Sequence, residues 1–186
     1  VENGLSNNAV ICSIQDKKGF LWFGTKDGLD RFDGYTFKIF RNDPDDERSI
    51  GSNFIHALFV DSNDVLWAGT EQGLYQYDAT TESFSLLPGS LKDQVTDIQI
   101  DADGNLWYIS SFNLFKYHPP SKRLEQFPID KYFESTSICT LPDRSVWIST
   151  PAGLLKKYNP STNSFTEFNV FQHSPKTAST WIEKLY

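Results

Sequence analysis

The side chains that could do chemistry in this chain begin with its acidic turns. Asp16-Lys17-Lys18-Gly19, Asp61-Ser62-Asn63-Asp64 and Asp101-Ala102-Asp103-Gly104 look like pieces of cation-binding loops. Asp101-Ala102-Asp103-Gly104-Asn105 comes nearest to a calcium loop. Such a loop needs a bidentate Glu at its twelfth position, and that position is Phe112. The run Asp43-Pro44-Asp45-Asp46-Glu47 reads as a solvated acidic loop. His56, His118 and His173 lack metal-ligand spacing, and Cys12 and Cys139 are far apart, so no metal site is expected. Two cysteines make no disulfide framework, and both are expected as buried free thiols. There is no Gly-x-Ser-x-Gly elbow, no phosphate-cradling glycine loop and no His-Glu-x-x-His. No catalytic residue and no cofactor are therefore assigned.

Non-covalent recognition remains. Trp22, Trp67, Trp107 and Trp147 could each offer an aromatic face to a sugar ring. They recur at 40 to 45 positions, however, inside one repeated pattern: Leu21-Trp22-Phe23-Gly24-Thr25…Gly28-Leu29, Leu66-Trp67-Ala68-Gly69-Thr70…Gly73-Leu74, Leu106-Trp107-Tyr108-Ile109-Ser110…Asn113-Leu114 and Val146-Trp147-Ile148-Ser149-Thr150…Gly153-Leu154. A ligand site needs no four identical copies, so the tryptophans are assigned to packing between repeats. Gly28, Gly73 and Gly153 are assigned to the turns.

A period of this length means propeller blades or a comparable array. Each repeat reads as four strands: an apolar stretch, a polar turn, the Trp strand, a Gly-Leu turn, a third strand ending on an aromatic (Phe32, Tyr77, Tyr117, Tyr158), and a fourth with two apolar residues three apart. Strands bounded by turns every 8 to 12 residues, with no helical period, give an all-β array. The expected fold is four four-stranded antiparallel β-propeller blades plus the first strand of a fifth, a fragment of a seven-bladed propeller. Blade bounds fall at about 5–49, 50–90, 91–131 and 132–170, with a fifth beginning over 171–186. In the third repeat Asn113 replaces the turn glycine and is expected to take the same left-handed conformation. The fourth repeat reads as having a first hairpin two residues short and a bulged third strand.

The 186 residues carry 17 Lys and Arg against 24 Asp and Glu, a net charge of −7. That balance excludes the basic footprint of nucleic-acid binding and disfavours anionic membrane surfaces. No run of 18 apolar residues is present. Function then falls to variable loops on a rigid scaffold. The turns joining second to third strands and the linkers 41–53, 88–94, 128–136 and 170–180 are expected on one face. Lys26, Asp27, Arg31, Arg48, Asn53, Glu71, Gln72 and Lys92 are the candidates for hydrogen bonding a hydroxyl-rich ligand.

Gly4-Leu5-Ser6-Asn7-Asn8, followed by Asp16-x-x-Gly19-x-Leu21-Trp22-x-Gly24-Thr25-x-x-Gly28-Leu29-x-Arg31-Phe32-Asp33-Gly34, resembles the opening blade of the sensor region of Bacteroides-type hybrid two-component regulators, with their regulator-propeller repeats. The resemblance implies a periplasmic module of a homodimeric, membrane-anchored histidine kinase, with two propellers of about seven blades each. It implies further blades as neighbours, an oligosaccharide as ligand, and kinase chemistry outside these residues. A propeller lyase or glycosidase, and a purely structural dimerisation scaffold, are the alternatives.

Overall fold

A computed structural model describes residues 4–127, 135–173, 182, 184 and 185. Its strands form four sheets, each a meander in chain order. The first contains β1 (Val10–Gln15), β2 (Leu21–Thr25), β3 (Leu29–Phe32) and β4 (Phe37–Phe40). The second contains β5 (Ile55–Val60), β6 (Leu66–Thr70), β7 (Gly73–Asp78) and β8 (Ser83–Leu86). The third contains β9 (Val95–Ile100), β10 (Leu106–Ser110), β11 (Asn113–His118) and β12 (Arg123–Gln126), with a 3-10 turn at Pro119–Ser121. The fourth contains β13 (Ser137–Thr140), β14 (Val146–Ser149), β15 (Leu154–Asn159) and β16 (Ser164–Asn169). This is an all-β chain of four four-stranded antiparallel, propeller-like blades. It divides into two compact units, residues 1–98 and 99–186.

The acidic turns prove to be structural. In each first hairpin the last turn residue has positive φ: Gly19, Asp64, Gly104 and Arg144. Asp101 Oδ1 accepts the N–H groups of Asp103 and Asn105 at 3.0 and 2.9 Å, and its Oδ2 accepts Trp107 Nε1–H at 2.8 Å. Asp16 does the same for Trp22 at 2.8 Å, and Asp61 for Trp67 at 3.4 Å. One carboxylate thus caps a turn and satisfies the indole N–H that burial would leave without a partner.

Within the first unit, Trp22 stacks on Phe40 at 5.8 Å and meets Tyr77 of the second sheet edge-on at 5.0 Å. Within the second unit, Trp107 stacks on Phe127 at 5.4 Å and meets Tyr158 of the fourth sheet edge-on at 4.8 Å. Trp22, Trp67 and Trp107 are buried, while Trp147 is half-buried. Each buried indole removes about 200 Å² from water, worth at most roughly 5 kcal/mol. A second regularity lies directly across from the tryptophans: Arg31, Lys116 and Lys157 pair with Trp22, Trp107 and Trp147 and hold their cations 5.7, 5.1 and 5.4 Å from the ring centroids.

The fourth sheet departs from two expectations. Its first hairpin is not shortened: Leu141 N–H to Ser145 C=O closes it over the same four-residue step as Asp101 to Asn105. Leu141 takes the seat of the aspartate, so Trp147 Nε1–H donates instead to Ser145 Oγ at 2.9 Å, and Ser145 leans on Asp143. Cys139 therefore pairs with Trp147 as Ile14 pairs with Trp22, a different register from Cys12. The extra residue sits in the β14–β15 turn, closed by Thr150 N–H to Leu154 C=O at 3.1 Å, and makes no bulge in β15. Neither cysteine is in a disulfide, and both are half-buried, not fully buried, each lying on the first strand of its sheet.

Asn113 does not take the left-handed position. It opens β11 opposite Ser110, and the turn residues Ser111 and Phe112 carry the positive φ, +46° and +65°. Much of the stretch 171–186 and residues 128–134 of an expected loop lie outside the described residues. Of the former, Ile182 C=O accepts Thr136 Oγ1–H at 2.6 Å, and Leu185 N–H donates to Ser137 Oγ at 3.1 Å.

Candidate functional site

The first two sheets are copies offset by 45 positions, Trp22 to Trp67 and Gly28 to Gly73, so their differences stand out. β1 and β5 each carry a bulge at their first residues, which makes Ile11 and His56 the extra residues. A bulge re-aims the side chain it carries. Ala9 and Ile11 in the first copy become Phe54 and His56 in the second. There the Phe54 ring stacks on the imidazole at 4.1 Å and 21°.

Polar groups from three segments close round this pair. Glu71, in the β6–β7 turn, places Oε1 2.7 Å from His56 Nε2. Its backbone N–H donates to Phe54 C=O at 3.2 Å. The amide nitrogen of Gln94, just before β9, lies 3.5 Å from His56 Nδ1 and 3.3 Å from Nε2. With Nε2–H given to Glu71, Nδ1 is left to accept from Gln94. Lys26, in the β2–β3 turn, holds its ammonium 5.9 Å from the Phe54 centroid.

Beside them Asp27 is clasped by Arg41, whose guanidinium reaches its carboxylate at 2.9 Å and its carbonyl at 3.0 Å. Asn53 Nδ2 reaches Asp27 Oδ1 at 3.4 Å, and Asn53 C=O accepts Gly28 N–H at 2.8 Å. Gly28 has φ +144°, and a Cβ there would press on Phe40 C=O at 3.1 Å and on Ser6. Ser6 anchors the segment before β1: its N–H and Oγ–H donate to Asp30 at 2.9 and 2.5 Å. Asp30 is fully buried, and that burial pushes its carboxyl above the ordinary value of 3.8 against the pull of Ser6 and Arg41.

Of the residues singled out in the sequence, Lys26, Asp27, Asn53 and Glu71 are brought into this cluster. Gln72 is exposed in the turn beside Glu71, its N–H held by Thr70 Oγ1 at 3.0 Å. Lys92 is exposed in the loop before β9. Arg48 pairs with Asp46 at 3.2 Å on the rim of a cavity of about 280 Å³ floored by Phe40 and Phe84, which Arg41 also lines. Arg31 stands apart, across from Trp22 on β3. Its guanidinium lies over Phe20 at 4.8 Å and donates to Tyr77 Oη at 3.1 Å and Glu82 at 3.0 Å. Lys38 also reaches Glu82, and these two cations hold the Glu82 carboxyl below the ordinary range, Lys38 foremost.

Arg41, Phe54, His56 and Gln94 were not among the sequence candidates. The signal that could have found Phe54 and His56 was there: aromatic residues at two positions where the sister copy has Ala9 and Ile11. The cluster offers an aromatic pair edged by an amine, a carboxylate and an amide. That suits the binding of a polar molecule with an apolar face. Among the described residues no helix is long and apolar enough to cross a membrane, and no group of three or more His, Cys, Asp or Glu is gathered as for a metal ion.

Residues 4–27 and 49–72 match the model of the family described as two component regulator propeller. A 48-residue stretch is 60% identical to "Histidine kinase P4" of Formosa agariphila, covering 26% of this chain and 4% of that protein. The extracellular domain of the putative one component system BT4673 from B. thetaiotaomicron superposes with a TM-score of 0.76 over 93% of this chain and 23% of that one, at 23% identity. Virginiamycin B lyase from Staphylococcus aureus gives 0.70 over 89% of this chain and 58% of that one, at 16% identity. The chain thus spans a small fraction of the sensor-type proteins it matches, and the lyase shares the fold.

Proposed function

We propose that this chain is part of the extracytoplasmic, periplasmic sensor of a hybrid two-component regulator, and that its loop-face cluster takes up a glycan fragment. The observation that carries the reading is the Phe54–His56 stack with Lys26, Glu71 and Gln94 around it, at positions where the sister repeat is apolar. The family model and the named histidine kinase support the signalling context. In a homodimeric parent with further blades, the ligand would favour one arrangement of the dimer and so bias the kinase. Such a shift requires different affinities for the two arrangements.

The test is a glycan array followed by calorimetry on the whole ectodomain of the parent protein. His56→Ala removes the stacked ring and the partner of Glu71, and should weaken binding by about tenfold or more. Glu71→Gln should weaken it less. Unchanged affinity in His56→Ala, or no glycan retained by the wild-type ectodomain, would refute the reading. One observation favours a lyase or glycosidase instead: His56 and Glu71 form a short pair of the kind that serves as a base. Turnover of a retained glycan, abolished by His56→Ala, would establish that alternative.

A further inference from the structure

The β10–β11 turn is built against its own chemistry. Its sisters are relaxed: in the β2–β3 and β6–β7 turns Gly28 and Gly73 carry the positive φ. There the Thr25 and Thr70 hydroxyls donate to the glycine carbonyls at 2.9 and 3.0 Å and accept the N–H of Asp27 and Gln72, both at 3.0 Å. In the β10–β11 turn Ser111 and Phe112 both sit in the left-handed region, at φ +46° and +65°. Asn-Gly is the pair that such a turn favours, and a bulky residue there is an outlier. Ser110, which stands where Thr25 and Thr70 stand, has a buried hydroxyl without a hydrogen-bond partner.

The strained turn is nonetheless braced. Phe112 C=O accepts Ser135 N–H at 3.0 Å, Asn113 Nδ2 donates to Ser111 C=O at 3.0 Å, and Gln126 Nε2 reaches Asn113 Oδ1 at 3.3 Å. The outcome is a phenyl ring held in solvent, 49% exposed. Strain that the surroundings maintain points to use. The side chains beside it in the turn and its brace carry hydroxyl and amide groups: Ser111, Asn113 and Gln126. An exposed aromatic face next to neutral hydrogen-bonding groups fits the apolar face of a pyranose.

We propose that Phe112 is a stacking platform for one sugar ring on the loop face of the third sheet. This rests on the glycan-sensing reading above and adds an aromatic subsite formed separately from the His56 cluster. Trp22, Trp67 and Trp107 are buried by their packing role, whereas the Phe112 ring is exposed to a ligand.

The probes are Phe112→Asn, Phe112→Tyr and His56→Ala in the whole ectodomain, on an array of plant, algal and host oligosaccharides, with melting temperatures alongside. Asparagine tolerates the left-handed turn, so Phe112→Asn should melt about 2–4 °C higher while losing about tenfold in glycan affinity. Phe112→Tyr should bind like the wild type. If Phe112→Asn keeps full affinity for glycans that His56→Ala loses, the platform is refuted and the sensing reading stands. A lower melting temperature in Phe112→Asn would make the ring a packing residue and also overturn the proposal. An array silent for the wild type removes the sensing reading and the platform with it.

Discussion

Position 6 in the first copy and position 51 in the second are equivalent, and so are positions 30 and 75. The first copy fills them with Ser6 and Asp30, joined by two hydrogen bonds. The second fills them with Gly51 and Tyr75, where a Cβ on Gly51 would lie 1.9 Å from the Tyr75 hydroxyl. The two pairs should be exchangeable as pairs and not singly. Gly51→Ser alone forces Tyr75 to move, at about 2–3 kcal/mol of overpacking. Tyr75→Asp alone loses a ring that is 8% exposed and buries a poorly paired carboxylate, about 4–6 kcal/mol together. In the double variant the clash is gone and a serine hydroxyl donates to the carboxylate, worth about 1.5–3 kcal/mol. The coupling is then roughly 3.5–6 kcal/mol, enough to make Gly51→Ser harmful in the wild type yet stabilising beside Tyr75→Asp. Urea denaturation of the four proteins measures it. If Gly51→Ser lowers stability in both backgrounds, the equivalence of the two pairs is wrong.

Asp101→Ala removes the acceptor of Trp107 Nε1–H and two turn caps, and should cost about 2–4 kcal/mol in the same assay. Ser145→Ala, which takes only the indole acceptor of Trp147, should cost about 1–2 kcal/mol. In Gly24→Ala the new methyl would meet Cys12 Sγ at 2.6 Å and Ile55 Cγ2 at 2.8 Å, a loss of about 1–3 kcal/mol, checked by the shift of the denaturation midpoint. Asp30 titrates higher in the folded than in the unfolded chain because burial disfavours its charge. The unfolded chain therefore releases that proton first, and the Asp30 contribution to stability falls as pH rises from about 4 through the folded value. The difference in stability between wild type and Asp30→Asn, followed upward from about pH 3 to neutral pH, should shrink or invert with rising pH if this sign is right.

The sheets were legible because their signals are local. Trp, Gly-Leu and Asp turns recur at fixed offsets, and period-two burial needs no knowledge of partners. What failed depended on side chains meeting across turns. Leu141 in the seat of Asp101 made an ordinary hairpin look short, and an inserted turn residue before Leu154 looked like a bulge. Asn113 was placed by its own conformational tolerance, although its side chain is used to brace the Ser111 carbonyl. Charge alone marks Arg31 in the sequence and does not reveal that it contacts Phe20, Tyr77 and Glu82. The His56 cluster joins residues from 26 to 94 and could be glimpsed only by comparing the two copies position by position.

Trp147 is the repeat indole left half-buried, with Lys157 across it and Phe168 at 5.3 Å. Its emission should be the most red-shifted of the four and the most open to acrylamide. Anything that comes to lie on that side of the fourth sheet will therefore announce itself as a blue shift, giving the molecule a built-in optical gauge of its own neighbours.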